Sequence, residues 1–162
     1  MRAWLTEIPS GKQGTRKTLD IMSSVTKKYK TSPAIRLLAQ RLVKRVREKN
    51  FDEEKKIIYS FVRDKIRYVK DVRGVETIQS PVATLKIGAG DCDDQSILVA
   101  SLLEAIGHKT RFVACGQIEG VFSHVFTQVL SESGRWESVE CTEKWHYGKT
   151  PPGIKAKMIK VN

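Results

Sequence analysis

The sequence predicts an α+β fold in which helices come first and a central helix then lies against an antiparallel sheet. Three observations predict it. Apolar residues recur at three- and four-residue steps through most of the first 66 positions. Residues 91–106 are apolar on every side beyond Ser96, and three short strand-like runs follow. Helices followed by strands around one core is the α+β arrangement.

The opening WLTEI suits a short strand or an arm, and the SGKQG after it is turn-rich. Residues 15–29 read as a helix with Leu19, Met22 and Val25 along one stripe. Ser32-Pro33 is a start signal, with serine as cap and proline in the first turn. The helix it opens carries Ile35, Leu38, Leu42 and Val46 on one face. Its other face holds Arg36, Arg41, Lys44, Arg45 and Arg47, the best candidate basic surface. Asp52, Glu53 and Glu54 set negative charge at the positive end of a third helix, with Ile57, Ile58, Phe61, Val62 and Ile66 as its buried side. IRYVKD leaves the helical pattern, and residues 73–86, with Gly74 and Pro81, read as irregular chain over the next element.

At Asp91 the helical pattern resumes. Asp91 can cap it, Asp94 three residues later completes a capping box, and Gly107 closes the far end. A helix apolar all round belongs at the centre of the protein. Residues 110–115, 124–130 and 136–141 read as strands, the last two joined by SESG at 131–134 as an antiparallel hairpin. Thr150-Pro151-Pro152-Gly153 interrupts regular structure, so residues 143–162 read as an irregular tail.

With 162 residues, 40% of them hydrophobic, the chain suits one domain over 1–162. It divides into a basic helical part (1–50), a core (51–142) and the tail. No apolar run approaches the ~20 residues of a membrane span, and the first residues lack a secretory pattern, so a cytoplasmic location is expected. Three cysteines without CxxC spacing fit neither a disulfide framework nor a common zinc site, and no metal or cofactor is expected. The net charge of +11 is uneven: residues 1–50 hold 13 Lys or Arg against 3 acids, and the other 112 hold 16 against 15. Such asymmetry suits an anionic partner, nucleic acid or an acidic protein. The simpler reading is a solvated helix face, since no aromatic stacking set accompanies the charge.

The candidate site lies in GAGDCDDQS, at residues 88–96. Cys92 falls on the first turn of the central helix, where free N–H groups and the helix dipole favour a thiolate. Asp91, Asp93 and Asp94 work against it, so Cys92 needs a cationic or proton-accepting partner. His108 follows the far end of the helix, about two dozen ångströms away at ~1.5 Å per residue. His146 lies in the tail. His124 opens a strand on one face with Phe126, Gln128 and Leu130, and meets Cys92 if that face packs on the helix. A third group would orient the imidazole. Trp136, Ser138 and Glu140 share a strand face; with Trp136 buried, Glu140 points inward and Glu137 is solvated. Singly, each residue has a plain reading: a structural thiol, a satisfied strand histidine, and capping acids with Asp94 paired to Arg111. A zinc set of Cys92, Cys115, Cys141 and His124 lacks ligand spacing.

Three segments in order, GAGDCDDQSILVASLLEAIGHKTRFVA, SHVF and WESVECT, resemble the transglutaminase-like superfamily of papain-fold cysteine enzymes, closest to its small microbial and phage-type members. The resemblance extends to SPAIRLLAQRL, IRYVKD, ETIQSPVATL and GKTPPG. It implies a papain-like core with Cys92 as nucleophile, His124 as base and Glu140, four residues after Trp136, as the acid. Gln79 is implied as a side-chain oxyanion donor beside the Cys92 N–H, with Asp91, Asp94 and Trp136 in support. The sequence departs from the pattern twice: the usual aspartate is Glu140, and the usual proline after it is Cys141. The implied reaction is acyl transfer from a protein or peptide substrate, hydrolysis ahead of crosslinking. Calcium dependence is not carried over, because DCDD lacks the oxygen-ligand loop of such sites. The alternative is an inactive scaffold or virion-associated module that binds an anionic partner through the basic helices.

Overall fold

One helix, buried along its middle, organises the molecule. The computed structural model describes residues 11–71 and 77–162. Its helices are α1 (Gly11–Tyr29), α2 (Pro33–Val43), α3 (Phe51–Lys65), α4 (Pro81–Ile87) and α5 (Cys92–Ala105). Every residue of α5 from Asp94 to Leu103 is buried. The other four helices pack against α5, and so does a sheet of β3 (Thr110–Gly116), β4 (His124–Leu130), β5 (Trp136–Val139) and β6 (Ala156–Val161). Its order is β5-β4-β3-β6, antiparallel throughout. Two short strands, β1 (Arg67–Tyr68) and β2 (Ala89–Gly90), pair in parallel just ahead of α5.

The sheet turns Val125, Thr127 and Val129 toward α5. Val125 joins Phe112 and Ala114 against Ile97 and Ala100, while Val129 and Val139 pack with Leu98 and Leu102. Thr127 Oγ1 donates to the Ser96 carbonyl at 3.1 Å, so its hydroxyl is satisfied inside that contact. Phe126 lies on the reverse face with Val113 and Cys115, under Ile154. This reverses the expected orientation: the face of His124, Phe126, Gln128 and Leu130 is the one away from α5. The β-branched triplet makes the closer fit to the helix, and period-two alternation sends its neighbours the other way.

Several elements differ in extent from the sequence reading. Helix α1 starts at Gly11, inside the expected turn, and WLTEI lies outside the described residues. Helix α2 stops at Val43, so only Arg36 and Arg41 of the cationic set are helical; Lys44, Arg45 and Arg47 follow in turns, all five exposed. Residues 73–76 fall outside the described residues, but the rest of the expected irregular stretch contains α4. Ser80-Pro81 repeats the Ser32-Pro33 signal: Ser80 Oγ accepts from the Ala83 N–H at 3.2 Å, and Gly88 ends the helix at φ 69°.

On α3, Ile58 and Val62 are buried as expected, while Ile57 and Phe61 are half-buried and Lys55 and Tyr59 take inner positions. Lys55 can be buried because its ammonium meets Asp52 and Glu137, each at 2.8 Å. The 131–134 turn closes the β4–β5 hairpin with Gly134 at φ 79°. The expected third strand ends two residues early, at Val139, and the tail is not irregular to its end: Ala156 and Met158 alternate inward as β6 pairs along β3 from Gly116 to Arg111.

Leu102 is fully buried on α5. Leu102→Ala is expected to lower unfolding free energy in urea by about 2–5 kcal/mol; a loss under about 1 kcal/mol would mean that α5 is not the centre of the core.

Candidate active site

A buried helix cannot leave its first N–H groups to water, and α5 solves this with carboxylates. Asp91 accepts from the N–H groups of Asp93 (3.0 Å) and Asp94 (3.2 Å), and Asp94 Oδ2 accepts in return from the Asp91 N–H at 3.3 Å. This is the expected capping box. The other oxygen of Asp94 accepts from the Gln79 N–H at 2.8 Å, so one carboxylate fixes both the helix start and the chain ahead of α4. Asp94 does not pair with Arg111. That guanidinium instead bonds Gln128 Oε1 at 2.8 Å and stacks on Trp136 at 4.3 Å. Gly90 is required by space: a Cβ there would lie 2.6 Å from the Asp94 Cβ. Burial, reinforced by the Asp91 charge, pushes the Asp94 carboxyl up to about 7.

Cys92 is the first residue of α5, half-buried, and packs against the cluster of Ile97, Val125 and Phe122. Burial raises its thiol well above the usual range; Asp93 and Asp91 add to this, and the Val125 backbone works the other way. The helix dipole therefore does not prevail, and the resting group is a thiol.

Val125 is the next residue after His124, which opens β4. His124 Nε2 lies 2.5 Å from Glu140 Oε2. Glu140, just past the end of β5, is 3% exposed. Its second oxygen accepts from the Thr142 N–H (2.9 Å) and Thr142 Oγ1 (2.7 Å), so the carboxylate has partners at both ends. Being first on its strand, His124 sits at the sheet end where α5 begins. The loop before it is locked: a Cβ on Gly116 would lie 1.8 Å from the Val121 carbonyl oxygen, and the Ser123 N–H donates to the Cys115 carbonyl at 3.0 Å.

The structure thus joins His124 to Glu140 and sets Cys92 against the neighbouring residue of β4. Trp136 is not part of this group: it pairs with Leu130, at the opposite end of β4 from His124, and is half-buried. Glu137 is partly exposed and also paired: it accepts from Lys55 and from the Tyr147 hydroxyl at 2.7 Å. His108 meets Glu54 at 2.9 Å at the far end of α5, and His146 is exposed. The Gln79 side chain keeps Oε1 buried without a hydrogen-bond partner among the described residues.

Sequence reasoning missed two residues. Thr142 carried a legible signal, a hydroxyl two positions after an acid. Tyr68 carried none; its register opposite Gly90 comes from the β1–β2 pairing, and its phenol is raised by burial and then by Cys92, Asp91, Asp93 and Glu140. The considered zinc set is not assembled. Among the described residues, the one group of three or more ligand atoms all within 4.8 Å of one another belongs to Asp91, Cys92 and Asp93.

A family model for the transglutaminase-like superfamily matches residues 36–141. The chain belongs to the transglutaminase-like superfamily. The match runs from α2 to just past β5, so it includes α5 and the β4–β5 hairpin, while α1 and β6 lie outside the matched residues. Solved structures share the fold. A proposed protease from Parabacteroides distasonis superposes with a TM-score of 0.60 at 14% identity, over 89% of this chain and 29% of that one. A proposed cysteine protease from Cytophaga hutchinsonii gives 0.57 at 15%, over 88% and 52%. EGTA-treated LapG from Legionella pneumophila gives 0.57 at 18%, over 83% and 78%. This chain therefore spans well under two thirds of the first two relatives. No curated protein matches its sequence.

The raised carboxyl of Asp94 has a pH signature. A folded value of about 7 against an ordinary 3.8 means the folded state holds the proton more tightly. Its stabilising contribution is complete below about pH 3.8, and is lost as pH rises to about 7. Urea denaturation from pH 4 to 8 should show that decline, and Asp94→Asn should flatten it; an unchanged slope in the variant would place the titration elsewhere.

Proposed function

We propose that the protein hydrolyses peptide or amide bonds by cysteine-dependent acyl transfer, with Cys92 as nucleophile, His124 as base and Glu140 as the acid that holds the imidazole. The observation that carries this reading is the Glu140–His124 bond at the start of β4, next to the residue that packs on the Cys92 sulfur. Glu140 cannot swing away, because Thr142 anchors its other oxygen.

The chemistry follows from a protonated resting thiol. His124 takes the Cys92 proton as sulfur attacks the carbonyl carbon, and the C–S bond forms. The tetrahedral oxyanion is met by the Cys92 N–H at the helix start, with Gln79 as the side-chain donor. The C–N bond breaks and the amine leaves with the proton from His124. Water, deprotonated by the same imidazole, then attacks the thioester carbon; the C–O bond forms, the C–S bond breaks, the acid leaves and the imidazole returns the proton to the Cys92 sulfur, while an amine in place of water would give transamidation. The protease descriptions of the relatives of this fold support protein or peptide as the substrate class.

A peptide vinyl sulfone, which mimics the amide electrophile, should label wild-type Cys92. Cys92→Ser should abolish labelling, and His124→Ala and Glu140→Gln should slow it by about 10²-fold or more. Equal labelling of the Ser variant would reject the nucleophile.

A second reading is favoured by a different observation: Arg36, Arg41, Lys44, Arg45 and Arg47 are all exposed on α2 and the turns after it. On this reading the row receives an anionic partner, with or without catalysis. Binding to a random-sequence DNA duplex should weaken steeply between 50 and 200 mM salt, as roughly ten-fold steps per few phosphate contacts released. The binding should survive Cys92→Ser and fall in a variant with Ala at Arg36, Arg41 and Arg45; salt-independent or absent binding would leave these residues as a solvated face.

A further inference from the structure

Glu140 stands where the strand ladder has ended, so something other than the sheet must hold it. Strand β5 stops at Val139 and β6 begins at Ala156, which leaves residues 140–155 without a helix or strand of their own. Thr142 grips one oxygen of Glu140, but Thr142 belongs to the same segment and travels with it. The segment is tied instead to α3. The Tyr59 hydroxyl donates to the Trp145 carbonyl at 2.5 Å, and Arg63 Nη1 donates to the same oxygen, which has two lone pairs to offer, at 3.1 Å.

Both donors are themselves fixed. Tyr59 is 2% exposed, and its ring meets that of Tyr147 edge-on at 5.6 Å. The Arg63 guanidinium lies 5.0 Å over the Tyr59 ring and holds Asp64 through Nε at 2.8 Å and Nη2 at 2.9 Å. Beyond Trp145, the Tyr147 hydroxyl meets Glu137, and the Gly148 N–H donates to the Ser138 carbonyl at 3.1 Å. Ahead of it, Cys141 packs in the same cluster as Tyr59. Burial raises the Tyr59 phenol, Arg63 opposes this, and Cys141 and Glu140 add to it, so the phenol lies within electrostatic reach of the acid. Helix α3 in turn packs on α5, the helix that starts at Cys92. One continuous path of contacts therefore refers the acid to the same helix as the thiol.

We propose that Tyr59 and Arg63 are positioning residues for the acid: by holding the Trp145 carbonyl on α3 they fix the chain from 140 to 145, and with it the Glu140 carboxylate on His124. The inference rests on the reading of Glu140 as the acid of a cysteine hydrolase, and adds the two residues through which the body of the fold sets that acid. A catalytic group displaced by about 1 Å costs about 10²-fold in rate, so loss of either tie is felt at the sulfur.

The test is labelling of Cys92 by the peptide vinyl sulfone, taken through double-mutant cycles with Glu140→Gln. Tyr59→Phe removes the hydroxyl and keeps the ring; Arg63→Met removes the guanidinium and keeps most of the stem. Each should slow labelling about tenfold, and Arg63→Lys, which keeps a donor, should slow it less than Arg63→Met. In the Glu140→Gln background neither should slow it further, because the group they position is already gone. The imidazole proton bonded to Glu140, read far downfield by NMR, should weaken in Tyr59→Phe as it should in Glu140→Gln; a change confined to packing would leave it. If Tyr59→Phe unfolds, the two Arg63 variants decide. Wild-type labelling in both variants, the same loss with and without Glu140, or an unmoved resonance overturns the positioning role and leaves the acid in place. Wild-type labelling in Glu140→Gln overturns the acid and the positioning role together. No labelling of the wild type, while iodoacetamide still reacts, overturns the hydrolase reading itself.

Discussion

The rest of the structure depends on a pair of carboxylates at the start of a helix whose body is buried. A helix end in the interior must find partners for its N–H groups or lose the free energy of each unmet donor. Asp91 and Asp94 supply them, and Asp94 also holds the Gln79 backbone. The cap fixes where α5 begins, and therefore where Cys92 stands. Asp94 accepts a strongly raised ionisation point in exchange, since burial of a carboxylate disfavours its charge.

The second group is positioned from the other side of the molecule. Glu140 leaves the end of β5, where the ladder no longer dictates its direction, and is held by its own neighbour Thr142. His124 occupies the first position of β4, so its ring lies at the rim of the sheet, not over the helix. The two lines meet at Val125, which belongs to the strand and packs on Cys92. Burial, with Asp93 and Asp91 beside it, holds the Cys92 thiol well above its usual range.

Much of this was legible in the residues. The capping box, the buried helix, the hairpin and its glycine turn all follow from local rules, and so did the pairing of His124 with Glu140 once the family resemblance was used. What failed failed for identifiable reasons. Alternation along β4 gives two faces but does not say which one meets the helix, and the β-branched face won. Alternation along β5 was extended past Val139, where the strand had ended, and so kept Trp136 near the site; Glu137 does reach solvent in part, but it also meets Lys55 and Tyr147, which alternation could not show. A serine–proline start was read at Ser32 and passed over at Ser80, because α4 is only seven residues long and its periodicity is too short to register. Strand β6 was hidden by the Pro-Pro-Gly stretch before it, and Tyr68 could not be placed without the β1–β2 register.

The crowding at Gly116 sorts the β3–β4 connection into two zones. Its base is clamped by the Val121 carbonyl and the Ser123–Cys115 bond, and the imidazole rides on that base. Its tip, with Ile118 66% exposed, bears on nothing that fixes the ring. Extra length can accumulate at the tip while the clamp holds the His124 end of the connection still, so growth of the loop is uncoupled from the placing of the ring.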